Sequence, residues 1–124
     1  MSNWTPEELA VVDRTDELHV AVERSDGTLR DSRIVWVVRV SDDLYIRSAH
    51  GLDGAWYRAA VKTRLGRVTV AGIERDVHLE DAAGHLNQEI DDAFWAKYGR
   101  YPAQYVEPVT NEASHSTTIR LVPR

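Results

Sequence analysis

Short segments in which apolar and polar residues alternate occur along much of the chain. In ELHVAVER, Leu18, Val20 and Val22 alternate with polar or small residues, which predicts a half-buried β-strand. Residues 33–40, RIVWVVRV, are apolar at nearly every central position and rich in β-branched side chains, so we expect one central strand. After the turn SDD, residues 44–48, LYIRS, are expected to pair with that strand as an antiparallel hairpin. Three more strands are predicted over 67–72, 75–80 and 117–123.

Helical spacing replaces this alternation in two segments of the first half of the chain. TPEE carries a helix-start signal, in which Thr5 and Glu8 form a capping box, and it predicts a helix over about residues 6–14. Residues 55–65 predict a second helix, which we expect to end at a Gly66 cap.

The longest predicted helix covers about residues 82–98. Apolar side chains recur at every fourth position, at Leu86, Ile90 and Phe94. Asp81 is expected to cap the start of this helix, and Gly99 is expected to end it. The segment between this helix and the last strand contains two prolines and predicts a looser connection with a helical turn.

Composition limits the classes of protein to consider. The chain has 124 residues, of which 43% are hydrophobic and 28% charged, which predicts a single globular domain over 1–124. Since there is no cysteine, disulfides, thiolate metal sites and cysteine nucleophiles are excluded. A net charge of −5 argues against general nucleic-acid binding, and the short apolar runs argue against a membrane span. We therefore expect a soluble, cytoplasmic protein without nucleic-acid or membrane partners.

Positive charge is concentrated in one part of this acidic chain. Residues 54–73 contain four basic side chains and no acidic one, and this segment follows a loop with two glycines, Gly51 and Gly54. A glycine-bearing loop that leads into a helix start offers free backbone N–H groups to an anion. We therefore predict a site for a phosphate or carboxylate, with Ser48, His50, Arg58 and Lys62 as donors, and Arg58 directed into a concave surface. The alternative is that these basic side chains are solvated surface charges.

Other motifs narrow the chemistry further. The spacing of the five histidines matches no metal-binding motif, so we expect no metal site, and the sequence has no phosphate-binding P-loop or dinucleotide-binding glycine motif. Aromatic side chains are frequent, and Trp36, Trp56 and Tyr57 fall near the predicted anion site, where flat apolar walls suit a planar ring. For Trp36 a core position is the favoured interpretation. No catalytic residue is assigned.

Longer stretches of the sequence resemble a known bacterial family. DGTLRDSRIVWVVRVSDDLYIRSAHGLDGAWYRAAVKTRLGRVTVAGIERDV, followed by AFWAKYGRYP and TTIRLVPR, resembles the domain of unknown function 2255 family over nearly the whole chain. WYR, KYGRYP and IRLVPR are the most specific of these motifs. The resemblance itself implies no activity.

A more distant resemblance is to the flavin-binding split-barrel superfamily, in particular its deazaflavin-dependent nitroreductase branch, which is also related to pyridoxamine-phosphate oxidases. The chain matches this group at Trp56, the helix after it and the apolar strand with Val68 and Val70. It departs from the group at Ala59, Ala60, Leu65 and Gly66, where asparagine–leucine and asparagine–proline pairs stand in that pattern. The fold implied is a small split β-barrel of the mainly β or α+β class, with about six mostly antiparallel strands and two or three helices.

The same resemblance implies a function. It implies a homodimer that binds flavin mononucleotide or a deazaflavin and transfers hydride to a small organic substrate. The cofactor site would comprise eight residues, Ser48, His50, Gly51, Gly54, Trp56, Tyr57, Arg58 and Lys62. Trp56 and Tyr57 would then shape the pocket for the ring. The alternative is a cofactor-free module that binds another small anionic molecule in the same pocket.

Overall fold

The computed structural model describes residues 3–124, and within this range seven strands form one antiparallel sheet. The strands are β1 (Glu17–Val22), β2 (Arg33–Trp36), β3 (Val38–Val40), β4 (Asp43–Ile46), β5 (Leu65–Val70), β6 (Ile73–Asp81) and β7 (Ile119–Pro123). Their order in the sheet is β2-β1-β5-β6-β7-β4-β3. The helices are α1 (Pro6–Asp13), α2 (Ala55–Thr63), α3 (Asn87–Tyr98), α4 (Ala103–Val106) and α5 (Glu112–His115), and two 3-10 turns span Gly51–Asp53 and Glu107–Val109.

The prediction of one central strand over residues 33–40 is wrong, because the segment divides at Val37. Its first half, β2, pairs with β1, and its second half, β3, pairs with β4 in the predicted hairpin. These two halves stand at opposite ends of the strand order and are separated by one residue, so the sheet curls into a nearly closed barrel. The segment is apolar on both faces because Val37 packs in one core cluster and Val38 in another.

A buried tyrosine holds this junction together. The Tyr98 hydroxyl accepts a hydrogen bond from the Val37 amide at 3.0 Å and donates to the Asp16 carbonyl at 2.6 Å. These bonds satisfy backbone groups that leave the strand ladder where the chain changes partner. Tyr98 comes from α3, so this helix is fixed directly to the point where the barrel closes.

The core divides into an interior cluster and a cluster beneath α3. The predicted alternation in β1 is confirmed, since Leu18, Val20 and Val22 are buried in the interior of the barrel. The second cluster gathers the inner face of α3, with Ile90 and Phe94 fully buried at four-residue spacing. The sequence pattern therefore identified the buried face of both elements.

Helix boundaries were predicted less well than the helices themselves. The capping box between Thr5 and Glu8 is confirmed at the start of α1. At the end of α2, however, Arg64 takes the left-handed cap conformation with φ +58°, and Gly66 already lies in β5. Glycine is needed there for another reason, because a Cβ atom on Gly66 would lie 2.7 Å from the Ala21 carbonyl oxygen of the neighbouring strand. Close strand packing, rather than a helix end, explains this glycine.

The start of α3 also differs from the prediction. The helix begins at Asn87, and Asp81 ends β6 instead of capping a helix. The Asp81 carboxylate accepts a hydrogen bond from the Ala83 amide, which fixes the turn between the strand and the helix. Across residues 3–124, no helix combines the length and apolar character that crossing a membrane requires.

Candidate functional site

A cavity opens where β2 faces the loop that follows β4. Its volume is about 440 Å³. The lining residues come from β2, the loop between β4 and α2, the start of α2 and the segment around α4: Arg33, Ile34, Val35, Trp36, Arg47, Ala49, His50, Ala55, Trp56, Tyr105 and Val109. We call this space the Arg47 cavity. It combines aromatic walls with basic side chains, which suits an anionic ligand that carries a planar ring.

Arg47 is the most tightly held basic group of the cavity. Its side chain has no exposed surface, and its Nε donates to Thr118 Oγ1 at 3.0 Å. Nη1 donates to the Val109 carbonyl at 2.8 Å and to the Asp91 carboxylate at 2.5 Å. The remaining nitrogen, Nη2, is buried and has no partner among the described residues. A buried guanidinium nitrogen without an acceptor is costly, so an anion or a water molecule that reaches Arg47 would satisfy it.

The charge of Arg47 is balanced by a second layer of side chains. Asp91, on α3, accepts from Arg47 and also lies 2.9 Å from Nε2 of His115. Burial lowers the pKa of Arg47, whereas the hydrogen bond and charge of Asp91 favour its charged form. The guanidinium also lies 5.7 Å from the centre of the Phe94 ring. Arg47 is thus held rigidly in place, with one carboxylate to offset its charge.

Among the predicted site residues, Ser48 and the two glycines shape the loop. Ser48 is fully buried, and its amide donates to Thr117 Oγ1 at 3.0 Å. Its Oγ has no partner in the described part of the chain, and a Cβ atom on Gly54 would lie only 2.4 Å from it. Gly51 has φ +63°, a left-handed conformation that glycine adopts without strain. His50 is exposed and lines the Arg47 cavity.

The start of α2 brings backbone N–H groups to the same cavity. Gly54 precedes the helix and provides no side-chain cap, so the N–H groups of the first turn stay available. Ala55 and Trp56, the first two helical residues, line the cavity. Tyr57 is buried beside Trp56 at 6.1 Å between ring centres, and its hydroxyl donates to the Ser116 carbonyl at 3.3 Å. Tyr57 therefore packs edge to face against the Trp56 ring.

The basic side chains that suggested the site from sequence do not converge on it. Arg58 and Lys62 are exposed on α2 and are absent from the lining of the Arg47 cavity. Arg64 donates to the Leu79 carbonyl at the end of the helix, and Arg67 pairs with Asp76 on the neighbouring strand. These four basic side chains are close in sequence but thus occupy three different environments.

A smaller space lies beside the Arg47 cavity. Its volume is about 190 Å³, and it shares Arg33, Ala55 and Trp56 with the larger cavity. Arg24 and Arg30 line its other end, together with Asp31, Val20, Val22 and Ala59. Both spaces thus have basic side chains in their lining, and Trp56 borders both of them.

The sequence pattern predicted neither Arg33 nor Arg47 as a site residue, and it favoured a core position for Trp36. Trp36 has both roles, since it stacks on Tyr98 with ring centres 4.0 Å apart and also lines the cavity. The position of Arg47, directly after the buried strand LYI and before the glycine-bearing loop, was the available signal. No cluster of three or more histidine, aspartate or glutamate side chains able to hold a metal ion occurs within residues 3–124.

Comparisons with known proteins identify a family for this chain. The profile of a family described as "Uncharacterized protein conserved in bacteria (DUF2255)" matches residues 8–121. No curated protein gives a significant sequence match.

Several solved structures share the fold. A conserved hypothetical protein of Mycobacterium tuberculosis aligns with a TM-score of 0.67 at 11% identity, over 99% of this chain and 81% of its own. A structure titled F420 reductase aligns with a TM-score of 0.55 at 14% identity, over 93% and 90%. A putative pyridoxamine 5'-phosphate oxidase of Listeria innocua aligns with a TM-score of 0.60 at 13% identity, over 95% and 91%. These similarities establish a split-barrel fold.

Proposed function

We propose, from the premise that this chain belongs to the DUF2255 family and has the split-barrel fold, that it binds a flavin or deazaflavin cofactor and acts as an oxidoreductase. The substrate class is a small organic molecule that accepts or donates hydride. Two structural neighbours support this proposal, because one is named an F420 reductase and the other a putative pyridoxamine 5'-phosphate oxidase. The cytoplasm is the proposed location.

The single observation that carries the proposal is the state of Arg47. A fully buried arginine, fixed by Thr118, Val109 and Asp91 and left with one unpartnered nitrogen, lies on the wall of a cavity of about 440 Å³. Proteins seldom bury a guanidinium without using all of its donors. The arrangement therefore fits a ligand that brings an acceptor, such as a phosphate oxygen.

The remaining lining residues match the other part of such a cofactor. Trp36 and Trp56 provide flat apolar surface for a tricyclic ring, and the start of α2 offers N–H groups beside it. When bound, the cofactor supplies hydride transfer through its ring. The chain itself binds the anionic tail through Arg47 and Arg33, orients the ring against tryptophan and keeps water away from one ring face.

A titration tests this function and the position of the anion together. Flavin mononucleotide, a deazaflavin and inorganic phosphate are added to the protein, and binding is followed by calorimetry and by quenching of tryptophan fluorescence. We expect both ring-bearing ligands to bind and to quench, since Trp36 and Trp56 line the cavity. Binding of phosphate alone would favour the cofactor-free module, and binding of none of the three would contradict the proposal.

Two single variants locate the anion in the same experiment. Arg33→Ala removes a side chain that lines both spaces and is expected to weaken flavin mononucleotide binding by about 10-fold, close to the value of one charge-assisted hydrogen bond. Arg58→Ala removes an exposed cation outside the cavity and serves as the matched control. If Arg58→Ala weakens binding and Arg33→Ala does not, the anion lies at the outer face of α2, as the sequence pattern suggested.

We further propose that the protein forms a homodimer in which the second copy covers the mouth of the cavity. Ile34 and Tyr105 line this cavity, yet 55% and 57% of their surfaces are exposed. Apolar side chains so placed gain about 1 kcal/mol or more each when they are covered. Light scattering at micromolar concentration is expected to give the mass of a dimer, and Ile34→Lys is expected to shift it towards the monomer. A monomeric parent protein would contradict the proposal.

A further inference from the structure

Three aromatic rings lie in contact between the Arg47 cavity and another face of the protein. Trp36 and Tyr98 are parallel, with 4.0 Å between ring centres and 5° between planes. Trp36 and Tyr101 are 5.6 Å apart at 25°. Trp36 lines the Arg47 cavity on one side and a surface groove with Tyr101, Arg100 and Asp16 on the other. The Trp36 ring therefore bridges the cavity and the surface.

The two tyrosines of this stack differ in what can accept their protons. The Tyr101 hydroxyl donates to the Asp16 carboxylate, which also pairs with Arg100. The hydrogen bonds from Tyr101 and Arg100 lower the pKa of Asp16, so this carboxylate is ionised at neutral pH. The Tyr98 hydroxyl is buried and donates to a backbone carbonyl, which is not a base. Of these two phenols, Tyr101 is the one with a proton acceptor in place.

We propose that Trp36 and Tyr101 form a one-electron relay that moves oxidising equivalents from the Arg47 cavity to the protein surface. The inference rests on the proposed function, because the oxidant is a photoexcited flavin or deazaflavin ring bound in that cavity. Trp36 gives one electron to this oxidant and becomes a radical cation. Tyr101 then gives one electron to Trp36, its hydroxyl proton moves from Oη to Asp16 Oδ2, and a neutral phenoxyl radical remains on Tyr101.

Two general properties of electron transfer favour Trp36 and Tyr101 as a relay. Electron tunnelling slows steeply with distance, and rings in van der Waals contact exchange electrons rapidly. A phenol that loses an electron becomes a very strong acid, so its oxidation is favourable only where a base receives the proton. Trp56 is the other tryptophan of the cavity. Its neighbour Tyr57 donates its hydrogen bond to the Ser116 carbonyl, which is not a base, so Tyr57 has no proton acceptor to favour its oxidation. The path through Trp36 is the one that ends at a carboxylate.

The experiment places an oxidant in the cavity without a cofactor. Because the chain contains no cysteine, Ala49→Cys creates a single attachment point at an exposed residue that lines the cavity and takes no part in the proposed dimer contact. A ruthenium polypyridyl complex is coupled there, and an added soluble one-electron acceptor, methyl viologen, oxidises its excited state to Ru(III), which then takes one electron from Trp36. Laser-flash absorption follows the tryptophan and tyrosine radicals. We expect the tryptophan signal to decay as the tyrosyl signal rises.

Variants in the labelled protein assign each step. Tyr101→Phe is expected to abolish the tyrosyl rise, and Asp16→Asn to slow it by about 100-fold, the usual contribution of a positioned general base. Trp36→Phe is expected to slow the formation of the tyrosyl radical. Tyr45→Phe is the control, because Tyr45 is a buried tyrosine that lies outside the stack and does not line the Arg47 cavity, and we expect it to leave the kinetics unchanged.

Several results would overturn the relay. A tyrosyl signal that survives Tyr101→Phe, or one that disappears in Tyr45→Phe, would show that another tyrosine is oxidised. Unchanged kinetics in Trp36→Phe would exclude Trp36 as the intermediate. Since the oxidant is covalently attached, these outcomes are independent of cofactor binding, which the titration measures separately.

Discussion

Arg47→Met is expected to weaken the binding of flavin mononucleotide by about 10- to 150-fold, because it removes a charge-assisted hydrogen bond worth about 1.5 to 3 kcal/mol. Methionine fills a similar volume and replaces the cation–π contact of the guanidinium, which lies 5.7 Å from the Phe94 ring centre, by a contact between sulfur and the ring. Calorimetry with flavin mononucleotide and with inorganic phosphate measures the loss. We expect both ligands to lose affinity, since each is held through its phosphate oxygens.

The same substitution is expected to reduce the free energy of unfolding by about 2 to 4 kcal/mol, because Asp91 loses the buried cation with which it pairs. This loss of stability lies at the lower end of the range for broken buried ion pairs, because His115 remains as a second partner of Asp91. Urea unfolding measures this change. A typical domain has about 5 to 15 kcal/mol of stability, so the variant is expected to remain folded for the binding measurement.

Two further variants separate the binding role of Arg47 from its structural role. Arg47→Lys keeps the charge, but an ammonium group lacks the planar fork that reaches Thr118, Val109 and Asp91 at once, so we expect an intermediate affinity. Arg39→Met is the control, since Arg39 pairs with Asp13 and does not line the Arg47 cavity. Folded Arg47→Met protein with parental affinity would place the ligand elsewhere.

Several elements of the fold could be predicted from local sequence because each depends on a few neighbouring residues. The capping box at Thr5 and Glu8 and the buried face of β1 follow from spacing alone, and both are confirmed. The division of residues 33–40 at Val37 could not be predicted in this way. It depends on the Tyr98 hydroxyl, which comes from 61 positions further along the chain. An apolar run indicates that both faces of a strand are buried. It does not indicate that the chain changes its partner strand within the run.

The site shows the same distinction between local and distant information. The loop and helix start predicted from the sequence border the Arg47 cavity, with His50 and Trp56 in its lining, and their part in ligand binding stays a prediction. The sequence pattern gave weight to Arg58 because that residue belongs to a run of basic residues, although charge density along a chain does not show which face a side chain occupies. Arg47 was not recognised, since its partners Asp91 and Thr118 lie 44 and 71 positions away. Functional use of an arginine depends on such contacts.

Asp91→Asn is expected to have opposite effects on stability and on binding. Asparagine keeps the shape of aspartate but removes its charge, so Arg47 remains buried without a counterion. We expect the free energy of unfolding to fall by about 2 to 4 kcal/mol, as for other broken buried pairs. A phosphate that reaches the cavity would then meet an arginine whose charge is no longer offset. At an effective dielectric constant of about 20, two charges about 8 to 16 Å apart interact by about 1 to 2 kcal/mol, so phosphate and flavin mononucleotide should bind roughly 5- to 30-fold more tightly.

The measurement for Asp91→Asn is thermal unfolding with and without inorganic phosphate, beside calorimetry. Ligand that binds only the folded state at about 100 times its dissociation constant adds about 2.7 kcal/mol, so phosphate is expected to restore much of the lost stability. At equal phosphate concentration, the melting temperature should therefore rise more in Asp91→Asn than in the parent protein. Asp92→Asn is the matched control, because Asp92 is the next residue of α3, is exposed and accepts a hydrogen bond from Gln88. If Asp91→Asn instead loses phosphate affinity, Asp91 acts by holding the Arg47 guanidinium in its binding position, and charge compensation is not its main effect on the ligand.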